Sequence, residues 1–125
     1  MNNYRNSGIL VTWTNGTGSA VVAGQVVAVG QVLGVAAVDI ASTATGTVQI
    51  GGRFTVPKVS GAVIAQGESL SWDASAGAFD DNAAVAAEGD VYGAPAIAAE
   101  AAGDGVTSFD VIFTGVPGTV EPAAG

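Results

Sequence analysis

Six carboxylates crowd one stretch of this chain: Glu68, Asp73, Asp80, Asp81, Glu88 and Asp90. Two acids held at the right separation can hydrolyse a glycosidic bond, one as acid and the other as base or nucleophile. No spacing among these six singles out such a pair, and solvated strand faces and turns account for them as well. Asp80-Asp81-Asn82 offers oxygen ligands of the kind calcium takes, but Asp and Asn are also ordinary turn formers. Gly16-Thr17-Gly18-Ser19 lacks the lysine and the following helix of a phosphate loop. The chain has no histidine and no cysteine. A nucleophilic triad therefore has no histidine base, and a zinc site would have only carboxylates. Disulfides and thiol chemistry do not apply, and the redox compartment is not legible. These residue types predict a protein that is not an enzyme and uses no metal or cofactor.

The two tryptophans raise a different chemistry. Exposed coplanar aromatics on a β module can stack sugars, so Trp13 and Trp72 admit a carbohydrate-binding reading. Each is in phase with an apolar neighbour, Val11 and Leu70 respectively, which assigns both to the core. They also lie fifty-nine residues apart. Sliding segment 8–55 onto 67–114 by that offset gives twelve identities, Gly18/Gly77, Gly30/Gly89, Gly34/Gly93 and Phe54/Phe113 among them. Shared richness in Ala, Gly and Val would give roughly five. The chain reads as two copies of one unit, 8–58 and 67–115, with a polar arm 1–7 and a loose tail 116–125.

The elements that must position these residues are strands. Ile9–Thr14 alternates, with Ile9, Val11 and Trp13 on one face. Asn15-Gly16 marks a turn because both residues tolerate positive φ. Short Val-rich segments cut by glycine follow over 20–38, a pattern hostile to helix. Thr47–Val56 has the clearest period of two, with Val48, Ile50, Phe54 and Val56 inward, and reads as one half-buried strand ended by Pro57. Ser69–Asp73 repeats the first strand, and Ala74–Asn82 reads as loop or turn. Alanine propensity over 83–102 favours helix. Gly89, Gly93, Pro95 and the offset favour strand for 91–98, leaving room for a helical turn at 98–102. Thr107–Thr114 alternates with Phe109, Val111 and Phe113 inward. The predicted fold is all-β, a small antiparallel barrel or sandwich of two repeated units, with Trp13, Phe54, Trp72, Phe109 and Phe113 in its core.

Length and charge bound the rest. At 125 residues the chain suits one domain. Its apolar content is mostly Ala and Val, so the core must be thin, and a thin core often gains stability from self-association. Eleven acids against three bases (Arg5, Arg53, Lys58) leave a net charge of −8. That argues against nucleic acid, which needs Lys and Arg to displace counterions, and against anionic membrane surfaces. The start, Met1 to Asn6, has neither a basic segment nor an apolar one, so no secretory signal is expected and synthesis stays in the cytoplasm.

One resemblance joins these features. Val26–Asp39, then Ala44-Thr45-Gly46-Thr47-Val48 and Gly52-Arg53-Phe54-Thr55-Val56-Pro57-Lys58, resemble bacteriophage capsid cement (head decoration) proteins. So do Asn3-Tyr4, Gln66–Asp73, and Gly93 to Gly105 with the strand after it. The resemblance covers roughly residues 3–115. It implies a small β protein on the outer surface of a phage head, a homotrimer that clamps adjacent major capsid subunits, located in the virion. In that setting the arm residues Asn2, Asn3, Tyr4 and Arg5 are expected to touch the capsid, since Tyr and Arg are enriched at interface hot spots. Arg53, Asp80, Asp81 and the loops 15–19 and 74–82 are expected to touch neighbouring subunits.

Overall fold

The computed structural model describes residues 9–122. Every regular element in that range is a strand: β1 (Leu10–Thr14), β2 (Val26–Val29), β3 (Val32–Ala36), β4 (Thr45–Gln49), β5 (Gly51–Pro57), β6 (Ser69–Asp73), β7 (Ala78–Asp80), β8 (Val91–Ala98), β9 (Ser108–Thr114) and β10 (Thr119–Val120). They form two antiparallel sheets, one ordered β1-β4-β3-β2 and the other β5-β9-β8-β6-β7, with β10 added on β8. The sheets do not close into a barrel. The arrangement is an open, sandwich-like all-β fold.

The chain changes sheet at a corner inside the segment expected to be a single strand. β4 ends at Gln49 and β5 begins at Gly51 in the other sheet. Gly52 turns the corner at φ +117°, a region closed to most L residues. The Gln49 side chain clamps it by donating to the Gly51 carbonyl at 2.8 Å. The inward phase survives the bend: Val48 and Val56 are buried, Ile50 and Phe54 half-buried. Glycine bends of this kind let a strand cross between packed sheets.

Two apolar clusters result, because the first sheet buries both of its faces. Val26, Leu33 and Val35 face the second sheet and join Val56, Leu70, Trp72, Phe79, Val91, Phe109, Val111 and Phe113. The alternate residues Val27, Ala36 and Val48 point the other way and pack with Val21 and Ile40 from loops. Trp13 lies half-buried on that smaller cluster, away from the main core that holds Trp72. Phe54 packs on the main cluster at half-burial. Phe79 is the hub of the rings, meeting Trp72 at 4.9 Å, Phe113 at 5.9 Å and Phe109 at 6.5 Å, all edge-on.

Phe79 also corrects part of the reading of 74–82 as loop or turn: 74–77 is a turn, but the next three residues are not. Ala78–Asp80 is a strand paired with β6, Trp72 opposite Phe79. The hairpin closes through Gly77 at φ +63°, whose amide donates to the Asp73 carbonyl at 2.9 Å. The tail is likewise not wholly loose. Thr119–Val120 pairs with Tyr92 and Val91, and the Gly118 amide donates to the Gln31 carbonyl at 2.8 Å. No helical turn forms at 98–102, where Ala102 bridges instead to Ile64.

The fifty-nine-residue offset lays β1 on β6 and β3 on the first half of β8. Gly18 and Gly77 share positive φ, as do Gly30 and Gly89. The counterpart of β2, 85–88, is loop, and β1 lies at a sheet edge whereas β6 lies between β8 and β7.

Candidate functional site

The two glycine-rich loops singled out in the sequence line one cleft. Thr17 and Ser19 from the first loop and Ala74 and Gly77 from the second line it together with residues of the edge strand β2. The cleft holds ≈ 550 Å³. Its apolar lining includes Val26, Val27, Ala28, Pro57 and Trp72, which is 8 % exposed. Gln25, Thr17 and Ser19 supply neutral polar groups, and none of the described residues lining it is ionisable.

Asn15 sets the first loop. It is fully buried, yet every polar atom has a partner. Its side-chain amide donates to the carbonyls of Ser19 at 2.7 Å and Ile40 at 3.0 Å. Its Oδ1 accepts from the Thr17 amide at 3.0 Å and the Thr17 hydroxyl at 2.7 Å. Its main chain pairs with Ala44 and Thr43, and Thr43 takes the left-handed conformation at φ +69°. The residue thereby fastens 15–19 to 40–44. The second loop is held by Asp73, whose Oδ1 accepts from the Ser75 hydroxyl at 2.8 Å and the Ala76 amide at 3.1 Å.

The carboxylates considered for catalysis are mostly engaged as backbone caps. Glu68 accepts from the amides of Ala65 at 2.9 Å and Asn82 at 2.8 Å. Asp90, buried, accepts from Ala74 at 3.1 Å and Ala87 at 2.9 Å. Asp80 holds the Asp81 amide at 2.9 Å, and Asp81 holds the Ala83 amide at 3.0 Å, so this pair builds the turn after β7. No group of three or more His, Cys, Asp or Glu placed to hold a metal ion occurs among the described residues.

Arg53 stands on the outer face of β5 and pairs within the chain. Its Nε donates to Asp110 Oδ2 at 2.9 Å, while the Thr55 hydroxyl donates to Asp110 Oδ1 at 2.6 Å. The Thr55 hydrogen bond, reinforced by Arg53, holds the Asp110 carboxyl below its ordinary pKa. Asn2, Asn3, Tyr4 and Arg5 lie outside the described residues.

Two residues of structural consequence escaped the sequence reading. Lys58 is buried with its ammonium on three carbonyls, although an isolated lysine ordinarily signals exposure. Asn15 was legible as a turn former but not as a buried hub. Among the described residues no helix is long and apolar enough to cross a membrane.

Fold and site together define a small sandwich-like β module whose described acids are largely engaged in holding turns. A family model of phage cement proteins matches residues 6–113, and the chain belongs to that family. A structural role on the phage capsid follows from that membership. No curated protein and no solved structure matches the chain.

Proposed function

We propose that the chain is a non-enzymatic decoration protein. It binds the outer surface of the phage head as a homotrimer and braces contacts between neighbouring major capsid subunits. The observation that carries this reading is the family match over 6–113. The charge of −8 supports the outer surface, since a shell packed with DNA favours basic protein on its inner side. A ligand that binds only the assembled shell stabilises it by mass action, and many identical weak contacts add through multivalency. The capped carboxylates support the absence of catalysis, because their acceptor oxygens are occupied by backbone amides.

A carbohydrate module would need a tryptophan face open to a sugar ring. Trp72 is 8 % exposed and packed on Phe79, and Trp13 is half-buried on the smaller cluster, so the two offer no shared open platform, which favours the capsid reading. The test is to add purified protein to undecorated heads and sediment them. Co-sedimentation at micromolar protein that saturates at a fixed copy number is expected, together with heads that break at a higher temperature. Protein left wholly in the supernatant would refute the proposal.

A further inference from the structure

Asn15-Gly16 carries a reactivity of its own. A main-chain amide nitrogen that reaches the side-chain carbonyl carbon of a preceding asparagine can displace the asparagine's amide group. Glycine in the second position leaves that nitrogen unshielded, because it has no Cβ. The chain holds a single Asn-Gly pair. The fold does not demand the glycine. The φ of Gly16 lies outside the left-handed region, and a Cβ there would meet nothing within 4 Å.

The structure holds the asparagine shut. Asn15 is fully buried, so water does not reach its side chain. Its Nδ2, the nitrogen that would have to leave, donates to the Ser19 carbonyl at 2.7 Å and the Ile40 carbonyl at 3.0 Å. Its Oδ1 is held by the Thr17 amide at 3.0 Å and the Thr17 hydroxyl at 2.7 Å. Its main-chain amide donates to the Ala44 carbonyl, and its main-chain carbonyl accepts from the Thr43 amide, both at 2.8 Å. Loss of the side-chain amide must break the bonds to Ser19 and Ile40 and admit water. The reaction therefore waits on local opening, and its rate tracks the population of the opened chain.

We infer that Asn15-Gly16 is a latent modification site, a spontaneous deamidation that the native fold suppresses and unfolding releases, with water as the co-reactant. The Gly16 nitrogen gives up its proton and bonds to Asn15 Cγ. The Cγ–Nδ2 bond breaks, and ammonia leaves with that proton. Water then opens the resulting cyclic imide at either carbonyl, leaving aspartate or isoaspartate at position 15. Neither product fits the site. Aspartate turns an acceptor toward the carbonyls of Ser19 and Ile40. Isoaspartate adds a methylene to the main chain between the pairing with Ala44 and the turn at Thr17. Unfolding thus becomes irreversible with time, through chemical change of the unfolded chain. The inference goes beyond the proposed function and does not depend on it.

The test keeps the full chain at mildly alkaline pH, either folded in buffer or unfolded in guanidinium chloride. Position 15 is followed by peptide mapping that separates asparagine, aspartate and isoaspartate. Asn15 is expected to convert at least about tenfold more slowly in the folded chain, because only the opened population reacts. Asn82, exposed and followed by Ala83, is the internal reference. Asn15 should react before Asn82 in the unfolded chain, where the Ala83 Cβ shields the attacking nitrogen, and should not do so in the folded one. Refolding yield should fall with time in denaturant, in step with the loss of Asn15. Gly16→Ala should melt with the parent, since its Cβ meets nothing, and should keep its refolding yield. The inference is overturned if the folded rate at Asn15 comes within that factor of the unfolded one, since the Thr17 donors would then activate the amide rather than restrain it. It is equally overturned if the unfolded chain keeps Asn15, or if Gly16→Ala loses refolding yield as fast as the parent.

Discussion

The Lys58 ammonium donates to the carbonyl oxygen of Val106 at 3.1 Å, joining positions forty-eight residues apart. It also donates to Val59 at 2.8 Å and Ser60 at 3.3 Å. Three ammonium protons thus meet three acceptors in a side chain 4 % exposed. The Lys58 amide adds a bond to the Thr107 carbonyl at 2.8 Å, so the end of β5 is fastened to the segment that enters β9. Lys58→Met keeps the apolar stem and leaves the carbonyls bare. Hydrogen bonds from a charged donor contribute about 1.5–3 kcal/mol each, and their loss is not additive here. We expect a destabilisation of about 3 kcal/mol, read as a fall of roughly 10 °C in Tm.

Asn15→Asp tests the loop beside the cleft. The change is nearly isosteric, but it replaces a donor with an acceptor facing the carbonyls of Ser19 at 2.7 Å and Ile40 at 3.0 Å. The Thr17 bonds to Oδ1 survive, but the second oxygen of a buried carboxylate would face two acceptors, an uncompensated charge that costs about 3–5 kcal/mol. With a urea slope of about 1–3 kcal/mol per molar, the unfolding midpoint should fall by at least about 1 M at neutral pH. An unchanged midpoint would mean that 15–19 rearranges freely and does not define the cleft.

Much of this architecture is legible wherever side chains alternate. β1, β6 and β9 each carry two or three inward apolar residues in strict phase, and the offset correctly favours strand over helix for Val91–Ala98. The misses share one physical cause, that the deciding interaction lies outside the local pattern. The alternation of Val48, Ile50, Phe54 and Val56 runs straight through Gly51-Gly52, and nothing in it reports the change of sheet. β7 has one large inward side chain, Phe79, too few to show a period. Lys58 is buried because the carbonyls of its own neighbours Val59 and Ser60 and the distant carbonyl of Val106 converge on its ammonium. The loops 15–19 and 74–77 stand out by composition, but their sharing of one cleft is a property of the packed sheets.

Gly34→Ala probes how closely β3 and β4 approach. A Cβ at position 34 would lie 2.6 Å from Val48 Cγ1 and 2.8 Å from the Gln49 carbonyl oxygen. Val48 is fully buried, and the Gln49 main chain belongs to the sheet, so neither can retreat at small cost. Overpacking of this kind costs about 1–3 kcal/mol. Gly61→Ala serves as the control, because a Cβ there meets nothing within 4 Å. It should stay within about 0.5 kcal/mol of the parent in thermal or urea unfolding.

The Asp110 site predicts a specific acid dependence. Its carboxyl lies below the ordinary value of 3.8 because the Thr55 hydroxyl, and after it Arg53, bind the ionised form. A carboxylate whose pKa is depressed on folding stabilises the fold above its unfolded pKa, and that stabilisation is lost as pH falls through the folded value. The Thr55→Val variant removes the larger cause while keeping a β-branched side chain suited to the strand. The Tm gap between parent and variant should therefore be constant from neutral pH down to about pH 5 and should narrow below about pH 4. Arg53→Gln should narrow over the same window with a smaller gap at neutral pH. Because this ion pair is open to solvent, added salt should shrink the Arg53→Gln gap more than the Thr55→Val gap, as screening acts most on a pair of full charges and less on a bond from an uncharged donor. A gap that widens toward low pH would mean that the carboxyl is better bound when protonated, contrary to the geometry of Asp110 between two donors.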